Sequence, residues 1–168
     1  MQPKCADNLF NGPQPGRVVM GFVDDDAYSG KINKNPYNFE SFGVSKIVIY
    51  SGGQQFPSSP LQPQFDNVGA SVESYYTMFT GMGIHHGDDG NAITREMYMK
   101  GGYVFYCFDL TQDMSASKNS HWNTNRLGNF RVDVSFKAGV SKNIVCVVLG
   151  EFQKLAQVDL RRNITISS

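Results

Sequence analysis

The sequence predicts an all-β fold, an antiparallel β-sandwich of Greek-key or jelly-roll type with one or two short helices inserted in its loops. Three observations predict it. Seventeen glycines and seven prolines cluster between short apolar runs, in the way turns separate strands. The runs themselves are rich in β-branched and aromatic residues. They recur at irregular spacing, without βαβ alternation or internal repeat, and their long connections favour crossings over a plain meander. A chain of 168 residues with 40% hydrophobic content suits one domain spanning 1–168, with 1–15 expected as an irregular lead-in.

The first strand expected is Arg17 to Val23, ended by Asp24-Asp25-Asp26, which is poor strand and good turn material. Val44 to Tyr50 is the second, and Gln54 to Phe56 can pair back on it across Gly52-Gly53 as a hairpin. Pro57, Pro60 and Pro63 then hold the chain extended, because each lacks an amide donor and disfavours helix in the residue before it. From Ser71 to Phe79, Val72, Tyr75, Tyr76 and Phe79 recur at three- and four-residue spacing, which predicts an amphipathic helix stopped by Gly81. A second short helix is expected over Ile93 to Lys100, capped by Thr94 or Asn91 and ended by Gly101-Gly102.

Tyr103 to Phe108 is almost wholly apolar, so both its faces should be covered. In Phe130 to Phe136 the apolar residues alternate with Arg131, Asp133 and Ser135, the pattern of a strand with one wet face. Ile144 to Leu149 is again continuous and leads into Glu151-Phe152. Ala156 to Leu160 and Asn163 to Ile166 are short segments that could close the sheet.

Fifteen basic residues balance fifteen acidic ones, so no long-range field draws the chain to nucleic acid or an anionic membrane. The apolar runs are too short to cross a membrane as a helix, and Met1 to Phe10, with Pro3, Asp7 and Asn8, lacks the pattern of a signal peptide. Cys5, Cys107 and Cys146 are odd in number, and buried free thiols in a reducing, intracellular compartment (cytoplasm or nucleus) are expected, with no secretion.

Chemistry is sparse. His85, His86, Asp88 and Asp89 share one loop, but their spacing matches neither His-x-His nor His-Glu-x-x-His, so a solvated loop is the expectation and no metal site is assigned. Neither acidic cluster has the alternating donors and closing Glu of a calcium loop. Gly81-Met-Gly83 follows a helix rather than opening one, so it lacks the context for cradling phosphate. No Ser or Cys stands in a recognised nucleophile signature with His85, His86 or His121, so no catalytic residue and no cofactor is assigned. Asp109 is expected to turn the chain into Leu110-Thr111, and Arg161-Arg162 to be a solvated turn. A binding module for carbohydrate or a receptor, presenting Trp122 and loop tyrosines, is the rival to a self-associating domain.

Several segments, in order, resemble a known family: Phe22-Val-Asp-Asp-Asp-Ala-Tyr-Ser-Gly30, Asn35-Pro-Tyr-Asn-Phe39, Gln55-Phe-Pro57 to Pro60-Leu-Gln-Pro63, Phe108-Asp-Leu-Thr111, Gly128-Asn-Phe-Arg131, and Glu151-Phe152 with Arg161. Together they are similar to the C-terminal half of the major capsid protein of Polinton (Maverick) elements and adintovirus-like viruses. The resemblance implies a double jelly-roll subunit that forms homotrimers in an icosahedral virion shell, beside a penton-type minor capsid protein. It implies no enzyme activity and no cofactor. Such a subunit is far longer than this chain, which begins just before what would be the second barrel. Tyr75, Tyr76, Phe79 and Trp122 are the candidate assembly residues, the first three because the cluster is too apolar for an exposed loop.

Overall fold

A computed structural model describes residues 4–10, 12–65, 71–87, 90–118, 121–124 and 126–166. Nine strands and three α-helices run in the order β1 (Lys4–Asp7), β2 (Arg17–Asp24), α1 (Asp25–Tyr28), β3 (Val44–Ser51), β4 (Gln54–Leu61), α2 (Val72–Met82), α3 (Arg95–Lys100), β5 (Phe105–Asp109), β6 (Phe130–Phe136), β7 (Ile144–Glu151), β8 (Ala156–Val158) and β9 (Ile164–Ile166) among the described residues. Two antiparallel sheets carry the fold, one in the order β1-β6-β3-β4 and the other β5-β2-β7, while β8 and β9 pair only with each other. The all-β sandwich read from the sequence is therefore the architecture observed.

The core lies between the two sheets. Val18, Met20 and Phe22 of β2 point into it, as do Ile47 and Ile49 of β3, Tyr106 and Phe108 of β5, and Phe130, Val132 and Val134 of β6. The alternation read in β6 holds, since Arg131 and Asp133 lie on its outer side and pair with each other through Arg131 Nε and Asp133 Oδ1 at 2.7 Å. Tyr106 is fully buried and, among the described residues, its hydroxyl has no hydrogen-bond partner. Burial first, then the neighbouring Tyr98, raises its pKa well above the ordinary value. An unsatisfied buried hydroxyl costs about 1–3 kcal/mol. Tyr106→Phe should thus raise the unfolding free energy by about 1 kcal/mol in a urea titration.

The Gly52-Gly53 hairpin forms as expected, pairing Ser51 with Gln54 and Ile49 with Phe56. Both glycines have positive φ, 57° and 81°, as a type I′ turn requires. Pro57 and Pro60 sit in β4, which is an edge strand, where missing amide donors are tolerated.

Four expectations need correction. The lead-in contributes a strand, because Lys4–Asp7 pairs with β6 from Lys4↔Val134 to Asp7↔Arg131. Its four residues carry no apolar pattern, so the partner's edge makes it a strand. The helix expected to stop at Gly81 continues to Met82, and Gly83, at φ 73°, ends it. Gly81 serves a different purpose: an added Cβ there would lie 2.5 Å from the backbone carbonyl of Cys107, so its lack of a side chain lets α2 lie directly on β5. β7 is an outer strand, and Cys146 is exposed where a buried thiol was expected. Finally, β8 and β9 do not close a sheet of the sandwich.

Candidate functional site

Two surfaces gather the residues that the sequence singled out. The first is α2, whose inner side is set by Gly81, Met78 and Ser74 against β5. Tyr75 and Phe79 are half-buried rather than free. Tyr75 packs edge-on against Tyr98 at 5.5 Å and its hydroxyl donates to the Ile93 carbonyl at 2.8 Å. That contact ties α2 to the segment before α3, which Thr94 caps by accepting from Met97 N at 3.3 Å. Tyr76 is 54% exposed and stacks with Phe79 at 6.2 Å. Val72, Tyr76 and Met82 are all exposed, so α2 presents an apolar stripe to the outside.

The second surface is a cleft of about 340 Å³ lined by Gln14, Arg17, Asp113, His121, Trp122, Gln153 and neighbours. Trp122 is 79% exposed and lines the cleft, whereas Tyr75, Tyr76 and Phe79 lie on α2. One carboxylate folds its floor: Asp109 Oδ1 accepts from Thr111 N at 2.9 Å and Asp109 Oδ2 from Ala116 N at 3.0 Å. This is the turn-forming role expected of Asp109. Arg17 closes one wall, pairing with Glu151 of β7 and donating to the Met82 carbonyl at 3.2 Å.

The cleft also brings together Asp113, Ser115 and His121, which the sequence did not flag as a group. Ser115 Oγ donates to Asp113 Oδ1 at 2.6 Å, and His121 Nε2 lies 3.0 Å from Ser115 Oγ and 2.9 Å from Asp113 Oδ2. Hydrogen bonding from Ser115, aided by His121, lowers the pKa of Asp113. A hydrolytic triad needs one imidazole nitrogen on the serine and the other on the acid. Here the same nitrogen faces both, Ser115 donates to the acid, and Ser115 is buried. The geometry suits a loop clasp rather than a nucleophile.

Of the histidine loop, Asp88 and Asp89 lie outside the described residues, as does the His86 side chain. His85 Nδ1 lies 3.1 Å from the Phe79 carbonyl, at the end of α2. Among the described residues no three His, Cys, Asp or Glu side chains gather as a metal would need. No helix among them is long and apolar enough to cross a membrane.

Asp24 is a strongly perturbed carboxylate. It caps α1 by accepting from Asp26 N at 3.0 Å, and accepts from Lys142 Nζ at 2.7 Å and Lys34 Nζ at 3.0 Å. The bonds from Lys142 and then Lys34 hold its carboxyl well below the usual carboxylate range. A depressed folded-state pKa contributes stability that is present above the unfolded value, near 4, and lost as pH falls below it. The thermal midpoint should therefore fall between about pH 5 and pH 2, and Asp24→Asn should flatten that dependence. An unchanged slope in the variant would exclude this network as its source.

An uncharacterized protein of Caenorhabditis elegans is 30% identical to the chain over 165 residues, 97% of this chain. The chain spans 39% of that relative's length. No family model matches the chain, and no solved structure does.

Proposed function

We propose that the chain is a non-catalytic structural domain that works by self-association, the second barrel of a double jelly-roll capsid protein of the Polinton type. Strand order is the observation that carries this reading. A jelly roll wraps eight strands so that the first pairs with the eighth, second with seventh, third with sixth and fourth with fifth; the third also meets the eighth and the fourth the seventh. With β1 to β7 taken as the second to eighth strands, the ladders β1–β6, β2–β5, β3–β4, β2–β7 and β3–β6 all follow that scheme. Among the described residues the ladder of the first strand, on the outer edge of β7, has no counterpart. The fold alone does not fix a function, and the coat reading adds to it the segments resembling Polinton capsid proteins and the exposed stripe of α2.

On this reading the domain forms homotrimeric capsomers of a virion shell, α2 meets a neighbouring subunit, and a penton-type protein is a further partner. Light scattering across a concentration series, with electron microscopy of large species, tests it. Trimers or hexagonal arrays are expected, and a strict monomer up to about 100 µM overturns the reading. Because Phe79 is half-buried and Tyr76 is not, Val72→Ser with Tyr76→Ser is the informative variant. Association should weaken at least tenfold while the unfolding free energy stays within about 0.5 kcal/mol.

A second reading has its own observation, the exposed Trp122 over a polar cleft, an arrangement suited to stacking a sugar ring beside hydrogen-bonding side chains. Binding of the monomer to a glycan array would favour it over the coat.

A further inference from the structure

We propose that the cleft beside Trp122 binds the end of a neutral saccharide, one ring stacking on the indole and its hydroxyls bonding the amide and hydroxyl side chains around it. The proposal deepens the glycan-binding reading of this cleft and rests on it. It gives Trp122 a ligand in place of a neighbouring subunit.

The indole is displayed by a loop that is tied down on both sides of it. Trp122 is the chain's single tryptophan and is 79% exposed. On one side of it His121 Nε2 lies 2.9 Å from Asp113 Oδ2 and 3.0 Å from Ser115 Oγ. On the other side Asn123 N donates to Gln153 Oε1 at 3.1 Å. Ser115 is fixed in turn, its backbone N donating to Thr111 Oγ1 at 2.9 Å and its hydroxyl accepting from Asn123 Nδ2 at 3.3 Å. An aromatic side chain covers about 150–250 Å² where it packs, and here the anchored backbone leaves that surface facing the cleft. A face held in place this way loses little freedom when a ligand stacks on it.

The rest of the lining selects a ligand with hydroxyls. Gln112, Thr124 and Gln153 stand around the indole. Because Gln153 Oε1 is taken by Asn123 N, its NH2 group is the end left to donate to a ligand. A purely apolar ligand would strip water from these groups and leave them unpaired. A sugar ring instead has a C–H face for the negative face of the indole and a rim of hydroxyls for the amides. The cleft volume of about 340 Å³ lies at the small end of the about 300–1,000 Å³ common to small-molecule sites, which suits a chain end rather than a long polymer.

Charge decides between neutral and acidic sugars. Arg17 and Arg126 line the cleft together with Asp113 and Glu151, so its cations are matched in number by carboxylates before a ligand arrives. Arg17 is engaged twice, by Glu151 and by the Met82 carbonyl at 3.2 Å. Asp113 accepts from Ser115 Oγ at 2.6 Å and faces His121. A ligand carboxylate or sulfate would have to pull Arg17 from Glu151, or lie against two like charges. Sugar hydroxyls, which donate and accept, meet the same groups without parting an ion pair.

The single tryptophan supplies the signal for the test, since tryptophan emission reports from Trp122 alone. At about pH 8, where an ordinary imidazole is neutral, maltotriose, lactose and chitotriose serve as neutral probes, and sialyllactose and a sulfated heparin disaccharide as acidic ones. A saturable emission change is expected with at least one neutral probe, at a Kd of about 0.1–5 mM, and none with the acidic pair. By calorimetry, Trp122→Ala should weaken that binding by about tenfold or more and Gln153→Ala by about threefold. Circular dichroism checks that both variants stay folded, and light scattering of Trp122→Ala should match the parent. Binding of the acidic probes alone would overturn the proposal while leaving the glycan reading intact. Neutral binding that survives Trp122→Ala would overturn it by placing the site elsewhere, and weakened association in that variant would overturn it by returning Trp122 to the assembly surface. No response to any probe would overturn both.

Discussion

Phe130→Ala should cost about 3–5 kcal/mol of unfolding free energy, a large share of the 5–15 kcal/mol that ordinarily holds a domain folded. Phe130 is fully buried at the start of β6, the strand that pairs with β1 on one side and β3 on the other. Its ring meets Phe10 at 5.1 Å, and Phe10 in turn meets Phe152 at 5.3 Å beyond the end of β7. Gly150 permits that approach, because a Cβ there would come within 2.7 Å of the Phe10 ring. Removing Phe130 therefore opens a cavity at a junction of both sheets, where neighbours held by other strands can collapse only partly. Chemical denaturation measures it directly. A loss below about 1 kcal/mol would mean that the Phe10 loop refills the space.

Gly81→Val should be the second large effect, at about 3 kcal/mol, and its damage should be local to one layer. The side chain would meet the carbonyl carbon and oxygen of Cys107 at 2.5 Å, and backbone in the middle of β5 cannot swing aside as a flexible side chain would. α2 must lift, which also breaks the contact of Thr77 Oγ1 with Cys107 N at 3.5 Å. The Cys107 thiol reports this specifically, because burial pushes its pKa up to about 12 and keeps it from reacting. In a Cys5→Ser, Cys146→Ser background, Gly81→Val should expose Cys107 to a thiol reagent under conditions where the parent stays protected. Equal protection in both would show that the helix absorbs the extra carbons without moving.

Much of the sandwich was legible because its strands are long and strongly patterned. β2, β3, β5 and β6 read as strands from β-branched and aromatic runs, and α3 from Thr94 and Gly101 at its ends. β1 was not legible, since Lys-Cys-Ala-Asp has no pattern and owes its conformation to β6. β7 misled in a different way. A continuous apolar run reads as a buried strand, whereas Leu149 on its outer face is 66% exposed and, among the described residues, its outer edge pairs with no strand. Gly81 looked like a helix stop because a glycine's breaking tendency is visible in one dimension, while a close approach to another strand is visible only in three. Of the candidate assembly residues, helical spacing grouped Tyr75, Tyr76 and Phe79 correctly on one helix. It did not separate Tyr76, which faces out, from Tyr75, which is spent on Tyr98 and Ile93. The Asp113, Ser115 and His121 clasp left no signal beyond a polar loop, because the carboxylate that folds it, Asp109, lies at the end of the preceding strand.

The ladder connectivity also bears on how the chain is made. Lys4 pairs with Val134, and Arg17 pairs with Glu151, so β1 and β2 pair with segments synthesised long after them. β3 and β4 are the adjacent exception, a hairpin able to form as soon as Leu61 emerges. Pairings this distant in sequence make for slow folding. During translation, β2 is thus held apart from β5 and β7, and β3 from β6, until those later segments are made. Vectorial synthesis gives this topology no early finished half, and its yield in a cell should depend on how well nascent-chain chaperones shield residues 17–51 until β6 and β7 arrive.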